Sequence, residues 1–436
     1  MHTVTGHEVL EVTGGRPLAG TVAVPGDKSI SHRALLLAAL ADGTSTITGL
    51  SGGDDVNRTA VAVAALGATV TRADGTVTVS GGRNRLAAPA DTVDLGNSGT
   101  GLRLLTGVVA TVQGVTRITG DASLRTRPMD RVAEPLALMG ARVDGVGERC
   151  TPPIAVTGGV LTGIDYTPPM ASAQVKSAIL LAGINASGDT VVREPIATRA
   201  HTEEMLALAG ADVTVTASGA GRVVRVRASA LRPRDWSVPG DPSQAAFWAV
   251  AGLVVPDSRI RVDHVHLGPE RIGFVHVLVR MGGDLSIAGT GTGTGDMTAS
   301  HSALRATTVE AAEIPSLDEV PVLAVAAMVA EGATRFRDVG ELRVKESDRL
   351  EGTVRLIRAF GGGAHVESDD LVVHGGVVPT PGRVDAAGDH RMAMAAAVAA
   401  AACPGGGPSV ITGWEAVATS YPGFADTLER LAGRAA

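Results

Sequence analysis

Seven cations and two carboxylates stand in segments where chemistry could be done. Lys28 and Arg33 lie in Pro25-Gly26-Asp27-Lys28-Ser29-Ile30-Ser31-His32-Arg33. Arg127 lies in Leu124-Arg125-Thr126-Arg127-Pro128, and Arg199 in Thr198-Arg199-Ala200-His201-Thr202-Glu203. Lys345 and Arg349 share Arg343-Val344-Lys345-Glu346-Ser347-Asp348-Arg349, and Arg391 ends Asp389-His390-Arg391. The carboxylates are Asp318, in Leu317-Asp318-Glu319, and Glu346. Gathered in one place, these cations would hold a ligand or ligand pair bearing several negative charges, phosphates foremost, through charge-assisted hydrogen bonds. Asp318 and Glu346 would then be placed to carry protons. Taken singly, the Arg343 to Arg349 run reads equally as a solvated helix face, and each carboxylate as a plain ion-pair partner. The elements around them decide.

Pro25 and Gly26 break the strand-like run Thr21-Val22-Ala23-Val24. Ser29 or Asp27 can then cap a helix whose body, Ala34 to Leu40, is Ala and Leu. A helix start leaves N–H groups unpaired and favours anions. The chain repeats this object, with polar starts at Asn97-Ser98-Gly99-Thr100, Ser172-Ala173-Gln174, Asp241-Pro242-Ser243-Gln244, Leu317-Asp318-Glu319 and Asp389-His390-Arg391. A second helix in each unit stops at a glycine before a strand. The stops are Gly67-Ala68-Thr69-Val70, Gly140-Ala141-Arg142-Val143, Gly210-Ala211-Asp212-Val213, Gly282-Gly283-Asp284-Leu285, Gly363-Ala364-His365-Val366 and Leu431-Ala432-Gly433. Their spacing is about 70 to 80 residues. Fixed-period self-similarity of this kind marks a repeat architecture, here of the α/β class.

Val24-Pro25-Gly26-Asp27 returns as Val238-Pro239-Gly240-Asp241, so the units group by threes. Two domains are expected: 21–238, and 1–20 together with 239–436, with a crossover near Arg234 to Pro239. The last unit ends at Gly433 without its strand, whereas His7-Glu8-Val9-Leu10-Glu11-Val12 precedes the first unit without one to join. The chain start is therefore expected to cross into the second domain. Two connections suit a hinge, and the six polar starts are expected to meet in a cleft that closes on an anionic ligand. A helix dipole contributes only about 0.3–1 kcal/mol near a surface. Truncating one partner of a buried charge pair costs roughly 2–5 kcal/mol. Arg and Lys should hold the ligand, and the helix ends aim them.

The composition narrows the partners. A formal net charge of −7 argues against nucleic acid or an anionic membrane surface, so bound anions need a local cationic cluster. Aromatics are only 2% of the residues, which leaves Ala, Val and Leu to fill the cores. Cys150 and Cys403 lack metal-ligand spacing and read as reduced thiols. No signal-peptide pattern opens the chain, and its longest apolar stretch, Met392 to Cys403, is too short to span a bilayer, so a cytoplasmic protein is expected. Of 38 basic residues only Lys28, Lys176 and Lys345 are lysine, positions where a compact ammonium is wanted in place of a guanidinium fork.

Pro25-Gly26-Asp27-Lys28-Ser29 with Arg33, Leu95-Gly96-Asn97-Ser98-Gly99-Thr100, the Arg343 to Arg349 segment and Asp389-His390-Arg391-Met392-Ala393 occur in one order along the whole chain. In these motifs the sequence resembles the 5-enolpyruvylshikimate-3-phosphate synthase (3-phosphoshikimate 1-carboxyvinyltransferase) family. The resemblance implies a two-domain inside-out α/β barrel of six βαβαββ units, three per domain, with the N-terminal strand in the second domain. It implies transfer of the enolpyruvyl group of phosphoenolpyruvate to the 5-hydroxyl of shikimate 3-phosphate, with no metal or organic cofactor, by a monomer. Carried over by motif, Lys28, Ser29, Arg33, Ser172, Ala173, Gln174, Arg199, Asp318 and Lys345 would contact shikimate 3-phosphate. Lys28, Asn97, Gly99, Arg127, Gln174, Arg349 and Arg391 would surround phosphoenolpyruvate. Asp318 would take the 5-hydroxyl proton, and Glu346 with Lys28 would handle the proton at the enol carbon.

One departure stands out. The family often carries a lysine shortly before an aromatic-Pro element near the C-terminus, yet Ala416-Val417-Ala418-Thr419-Ser420-Tyr421-Pro422-Gly423-Phe424 has none. This leaves room for a paralogue acting on a related acceptor such as a UDP-amino sugar. That reading needs a Cys on a mobile loop of the first domain and an Asn after Lys28, where this chain has Ser29. A P-loop is echoed by Gly26, Lys28 and Ser29 but broken by Asp27. A non-enzymatic anion binder would need the cations without Asp318 or Glu346.

Overall fold

The Ala-rich helices that follow the polar starts are buried almost all round, as helices without a polar face must be. In the computed structural model, which describes residues 8–289 and 293–433, they are Lys28–Leu40, Gly99–Val109, Ala173–Gly183, Pro242–Val254, Val320–Val329 and His390–Ala401. Every residue of Pro242–Val254 and of His390–Ala401 is buried. Small side chains let such helices meet closely. A Cβ added to Gly107 would sit 2.3 Å from the carbonyl oxygen of Ala178 on the neighbouring helix.

The second helix of each unit ends as the glycine pattern requires. Gly67, Gly140, Gly210, Gly282, Gly361 and Gly433 all have φ between 73° and 110°. The first of these shows the hydrogen-bond pattern of a left-handed helix stop, with Gly67 N–H donating to the Ala64 carbonyl and Ala68 N–H to that of Val63. The fifth stop departs from expectation. Its turning residue is Gly361, and Gly363 already opens the strand Gly363–Glu367, because three consecutive glycines blur the register in the sequence.

Among the described residues the strands form six sheets. Five are four-stranded with one pattern: two antiparallel pairings, then a parallel edge strand. In one of them Thr69–Ala73 pairs with Thr76–Gly81, that strand with Gly43–Thr48, and Gly43–Thr48 in parallel with Trp236–Ser237. In all six sheets the parallel edge strand is the one whose chain runs on into a buried helix. In the sixth sheet Ser409–Thr412 is central, paired in parallel with Arg383–Asp385 and antiparallel with Val9–Val12. His7, at the start of the expected N-terminal strand, lies outside the described residues.

The chain divides into two units, Gly26–Val238, and Met1–Pro25 with Pro239–Ala436. The division expected between residues 20 and 21 would cut the strand Ala19–Ala23. That strand pairs in parallel with Arg259–His266 and belongs with residues 239–436. In sequence it reads with the helix it feeds, but its ladder hydrogen bonds tie it elsewhere. The same happens at Trp236–Ser237, which pairs inside Gly26–Val238 and feeds the helix Pro242–Val254 of the other unit. The twin Val-Pro-Gly-Asp motifs are thus the two points where the chain changes unit. Each unit has its own apolar core, and no helix among the described residues is long and apolar enough to cross a membrane.

Candidate active site

In Gly26–Val238 the polar groups are set by three helix starts. Asp27 caps Lys28–Leu40 by accepting the N–H of Ile30 at 2.9 Å, which leaves Ser29 uncommitted as a cap. Lys28 Nζ lies 2.9 Å from the buried Asp55, in the first turn of Asp54–Ala65. Ser98 caps Gly99–Val109 and Ser172 caps Ala173–Gly183. Asn97 is held from both sides: its amide donates to Asp121 at 2.8 Å, and its carbonyl accepts from Arg127 at 2.8 Å. A Cβ on Gly99 would come within 2.6 Å of the Arg127 Nη1, so glycine keeps the space that guanidinium fills. Gln174 bridges to Thr100 at 3.0 Å and accepts from Arg103 at 2.8 Å.

Arg199 reaches Ser29 Oγ at 3.4 Å. Arg33 is placed deeper than a ligand contact would suggest. It is buried, and its guanidinium donates to Thr202 at 2.6 Å, to Ser177 at 2.6 Å and to the Ser29 carbonyl at 3.0 Å. His32, one residue before, is fully buried between Thr59 (2.8 Å) and Ser98 (3.5 Å). Burial, helped by the charges of Lys28 and Arg33, lowers its pKa to about 3, so the imidazole is neutral.

In the other unit the centre is Arg349, 0% exposed at the first residue of Arg349–Ala359. Its guanidinium meets Asp389 at 2.7 and 3.2 Å, Asp318 at 3.0 Å and Glu346 at 2.5 Å. Burial opposes its charge, but these three carboxylates outweigh that and hold its pKa above the ordinary arginine value. Asp389 also caps His390–Ala401 and accepts the Ser347 hydroxyl at 3.0 Å. Asp318 takes a second cation, Arg391, at 3.3 Å. The Nη1 of Arg391 is buried with no hydrogen-bond partner among the described residues. Just before Asp318, buried Leu317 has a φ of 56°, a costly left-handed conformation for a leucine that turns the chain into the aspartate.

The Arg343 to Arg349 segment is no single helix face. A short 3-10 turn, Gly340–Val344, precedes it, and Arg349 starts the next helix, leaving Glu346 and Ser347 in the bend between. Lys345 pairs with the exposed Glu341 at 3.2 Å. Where the resemblance leads one to look for a lysine, Thr419 lies 3.1 Å from His390 Nδ1.

The structure thus gathers Lys28, Ser29, Asn97, Gly99, Arg127, Gln174 and Arg199 around helix starts of one unit, and Asp318, Glu346, Arg349 and Arg391 in the other. Sequence reading missed Asp55, Arg103, Asp121 and the pairing role of Asp389. Arg103 did leave a signal, lying one helical turn after Gly99. The other three are partners chosen by the fold, and local sequence carries no sign of them.

Two repeat-built α/β units, each presenting cations at helix starts and one pairing a carboxylate with two arginines, define a class of protein suited to holding polyanions. A family model described as EPSP synthase (3-phosphoshikimate 1-carboxyvinyltransferase) matches residues 12–428. The chain belongs to that family. Named relatives include the 3-phosphoshikimate 1-carboxyvinyltransferases of Granulibacter bethesdensis, 49% identical with 96% of each chain covered, and of Gloeobacter violaceus, 46% identical with 97% of this chain and 99% of the other covered. Among solved structures, EPSP synthase from Acinetobacter baumannii superposes with a TM-score of 0.85 at 37% identity, covering 97% of this chain and 98% of that one. The enolpyruvyl transferase NikO from Streptomyces tendae, at 22% identity, a TM-score of 0.79 and 97% coverage of both chains, shares the fold.

Proposed function

We propose that this protein transfers the enolpyruvyl group of phosphoenolpyruvate to the 5-hydroxyl of shikimate 3-phosphate and releases phosphate. The observation that carries the reading, within the family, is Asp318 held between Arg349 and Arg391 while one Arg391 nitrogen stays buried and unpaired. An unsatisfied buried guanidinium nitrogen is costly, and an anionic ligand would satisfy it.

In this reading Lys28, Ser29, Ser172, Ala173, Gln174, Arg199, Asp318 and Lys345 contact shikimate 3-phosphate. Arg33, lying beneath Ser29 and Ser177, supports them and adds charge from below. Lys28, Asn97, Gly99, Arg127, Gln174, Arg349 and Arg391 surround phosphoenolpyruvate. Asp318 accepts the proton of the 5-hydroxyl. Glu346 with Lys28 delivers a proton to the enol methylene carbon, so C2 gains cationic character and the 5-oxygen bonds to it. The resulting tetrahedral ketal gives a methyl proton back to Glu346 with Lys28 as the bond from C2 to the phosphate oxygen breaks and phosphate leaves with its electron pair. Arginines hold the anionic ends throughout, which favours the charge-separated transition states over the ground state. Proton transfer and ion pairing suffice for every step. The reaction requires the residue sets of both units to reach the same two ligands, with closure on shikimate 3-phosphate. For the fold, we read the six sheets and their helices as βαβαββ units of an inside-out α/β barrel, in a protein acting as a cytoplasmic monomer.

The test is phosphate release from phosphoenolpyruvate with shikimate 3-phosphate as acceptor, run beside UDP-N-acetylglucosamine. Turnover with the first alone is expected. Turnover with the UDP-sugar, or with neither, overturns the reading; the family model and relatives give the UDP-sugar alternative less support.

A further inference from the structure

Lys176 is one of the chain's three lysines, and the proposed mechanism does not use it. It sits on Ala173–Gly183 four residues after the capping Ser172, yet it is 0% exposed. Its ammonium has three N–H donors and three acceptors around it: Glu203 at 2.7 Å, Glu194 at 2.9 Å and the backbone carbonyl of Arg199 at 3.0 Å. Arg222 stands on the far side, 3.4 Å from Glu194 and 3.5 Å from Glu203, and also donates to the Thr198 carbonyl. The Thr198 hydroxyl donates to Glu194. Two cations and two carboxylates thus form a neutral set, buried except for Arg222, whose side chain is 15% exposed.

Stability alone does not account for such a set. Buried ion pairs recover little more than their desolvation cost, and apolar residues of similar volume often serve as well. Here one oxygen, Oε2 of Glu203, is even left without a hydrogen-bond partner among the described residues. What the set does specify is a place for the segment between the strand Thr190–Glu194 and the helix His201–Leu208. That helix has no capping side chain, and residues 195–200 have no regular structure. Lys176 grips the carbonyl of Arg199, whose guanidinium extends to Ser29. The neighbouring residues repeat the device, since Ser177 and Thr202 hydrogen-bond at 2.7 Å and both accept from Arg33.

We infer that Lys176 is a positioning residue, which fixes the backbone of Arg199 and thereby aims its guanidinium at bound shikimate 3-phosphate. This rests on the proposed function for the identity of the ligand. Removing Lys176 alone strands two buried carboxylates and threatens folding, so the test variant is Lys176→Met with Glu203→Gln, which leaves Arg222 paired with Glu194.

The test is a cycle on the full chain: wild type, that double variant, Arg199→Ala, and all three changes together. Two readouts are taken, hydrogen exchange at the amides of residues 196–200 and calorimetric affinity for shikimate 3-phosphate. In the double variant the exchange rises, and affinity falls about tenfold or more. In the Arg199→Ala background the double change adds less than about threefold, because its effect runs through the side chain already removed. Unchanged exchange, or losses that multiply across the cycle, overturns the inference. A general packing role would give the multiplied pattern. Absence of shikimate 3-phosphate binding by wild type would instead mark failure of the proposed function, and this inference would fall with it.

Discussion

Arg391 presents the sharpest residue-scale question, because half of its guanidinium is spoken for by Asp318 and the other half, Nη1, is buried and unpaired. If that nitrogen meets phosphoenolpyruvate, Arg391→Ala removes one partner of a buried charge pair at the reacting centre. The expected loss in kcat/KM is about 2–5 kcal/mol, roughly thirtyfold to several thousandfold, in steady-state assays. A loss under about tenfold would place Arg391 away from the chemistry. Gly99 makes a gentler prediction. A methyl group there collides with the movable end of Arg127 and crowds that of Arg103, so Gly99→Ala should fold normally while raising the KM for phosphoenolpyruvate more than that for shikimate 3-phosphate. Equal changes in both KM values would separate Arg127 from that ligand. The cations of the site could be read from the sequence because each sits in a short motif at a helix start. Asp55 and Asp389, which pair with Lys28 and Arg349, and Asp121, which holds Asn97, could not, since pairing depends on which elements the fold brings side by side.

At the scale of elements, the helix starts carry more than charge. His32, in the first helix, reaches the body of Asp54–Ala65 through Thr59 and the start of Gly99–Val109 through the capping Ser98, and does so as a neutral imidazole with a pKa near 3. The unfolded chain takes up a proton on this residue below about pH 6.5, whereas the folded chain does not until about pH 3. Stability contributed by His32 is therefore complete above that unfolded value and declines as pH falls through the window, by about 1.4 kcal/mol per unit. Urea unfolding at a series of pH values should show a slope between pH 6 and 4 that is shallower in His32→Gln by about that amount. Equal slopes would mean the imidazole is protonated in the fold. The helix stops were legible because a left-handed residue after a helix is nearly always glycine, and five of six were placed correctly. The fifth is displaced by two residues where Gly361, Gly362 and Gly363 follow one another, since sequence cannot say which of three glycines turns.

For the whole molecule, the repeat was visible from period alone, and so was the second point where the chain changes unit, between Val238 and Pro239, but the first was not. A strand-helix pair reads as one piece in sequence, yet Ala19–Ala23 is bound to Arg259–His266 by backbone hydrogen bonds that no side-chain pattern announces. Placing the two chain crossings at the Val-Pro-Gly-Asp motifs leaves Lys28 with Arg127 in one unit and Asp318 with Arg349 and Arg391 in the other. One reaction served by both is the central claim, and Asp318 is where it is most exposed. Asp318→Asn keeps the shape and one accepting oxygen for Arg349 or Arg391, puts an amide NH2 that cannot accept in place of the other oxygen, and removes the base. The decisive measurement is phosphate release by this variant beside calorimetric binding of shikimate 3-phosphate. The account predicts affinity within about threefold of wild type and turnover lower by about a hundredfold or more. Turnover equal to wild type would contradict it.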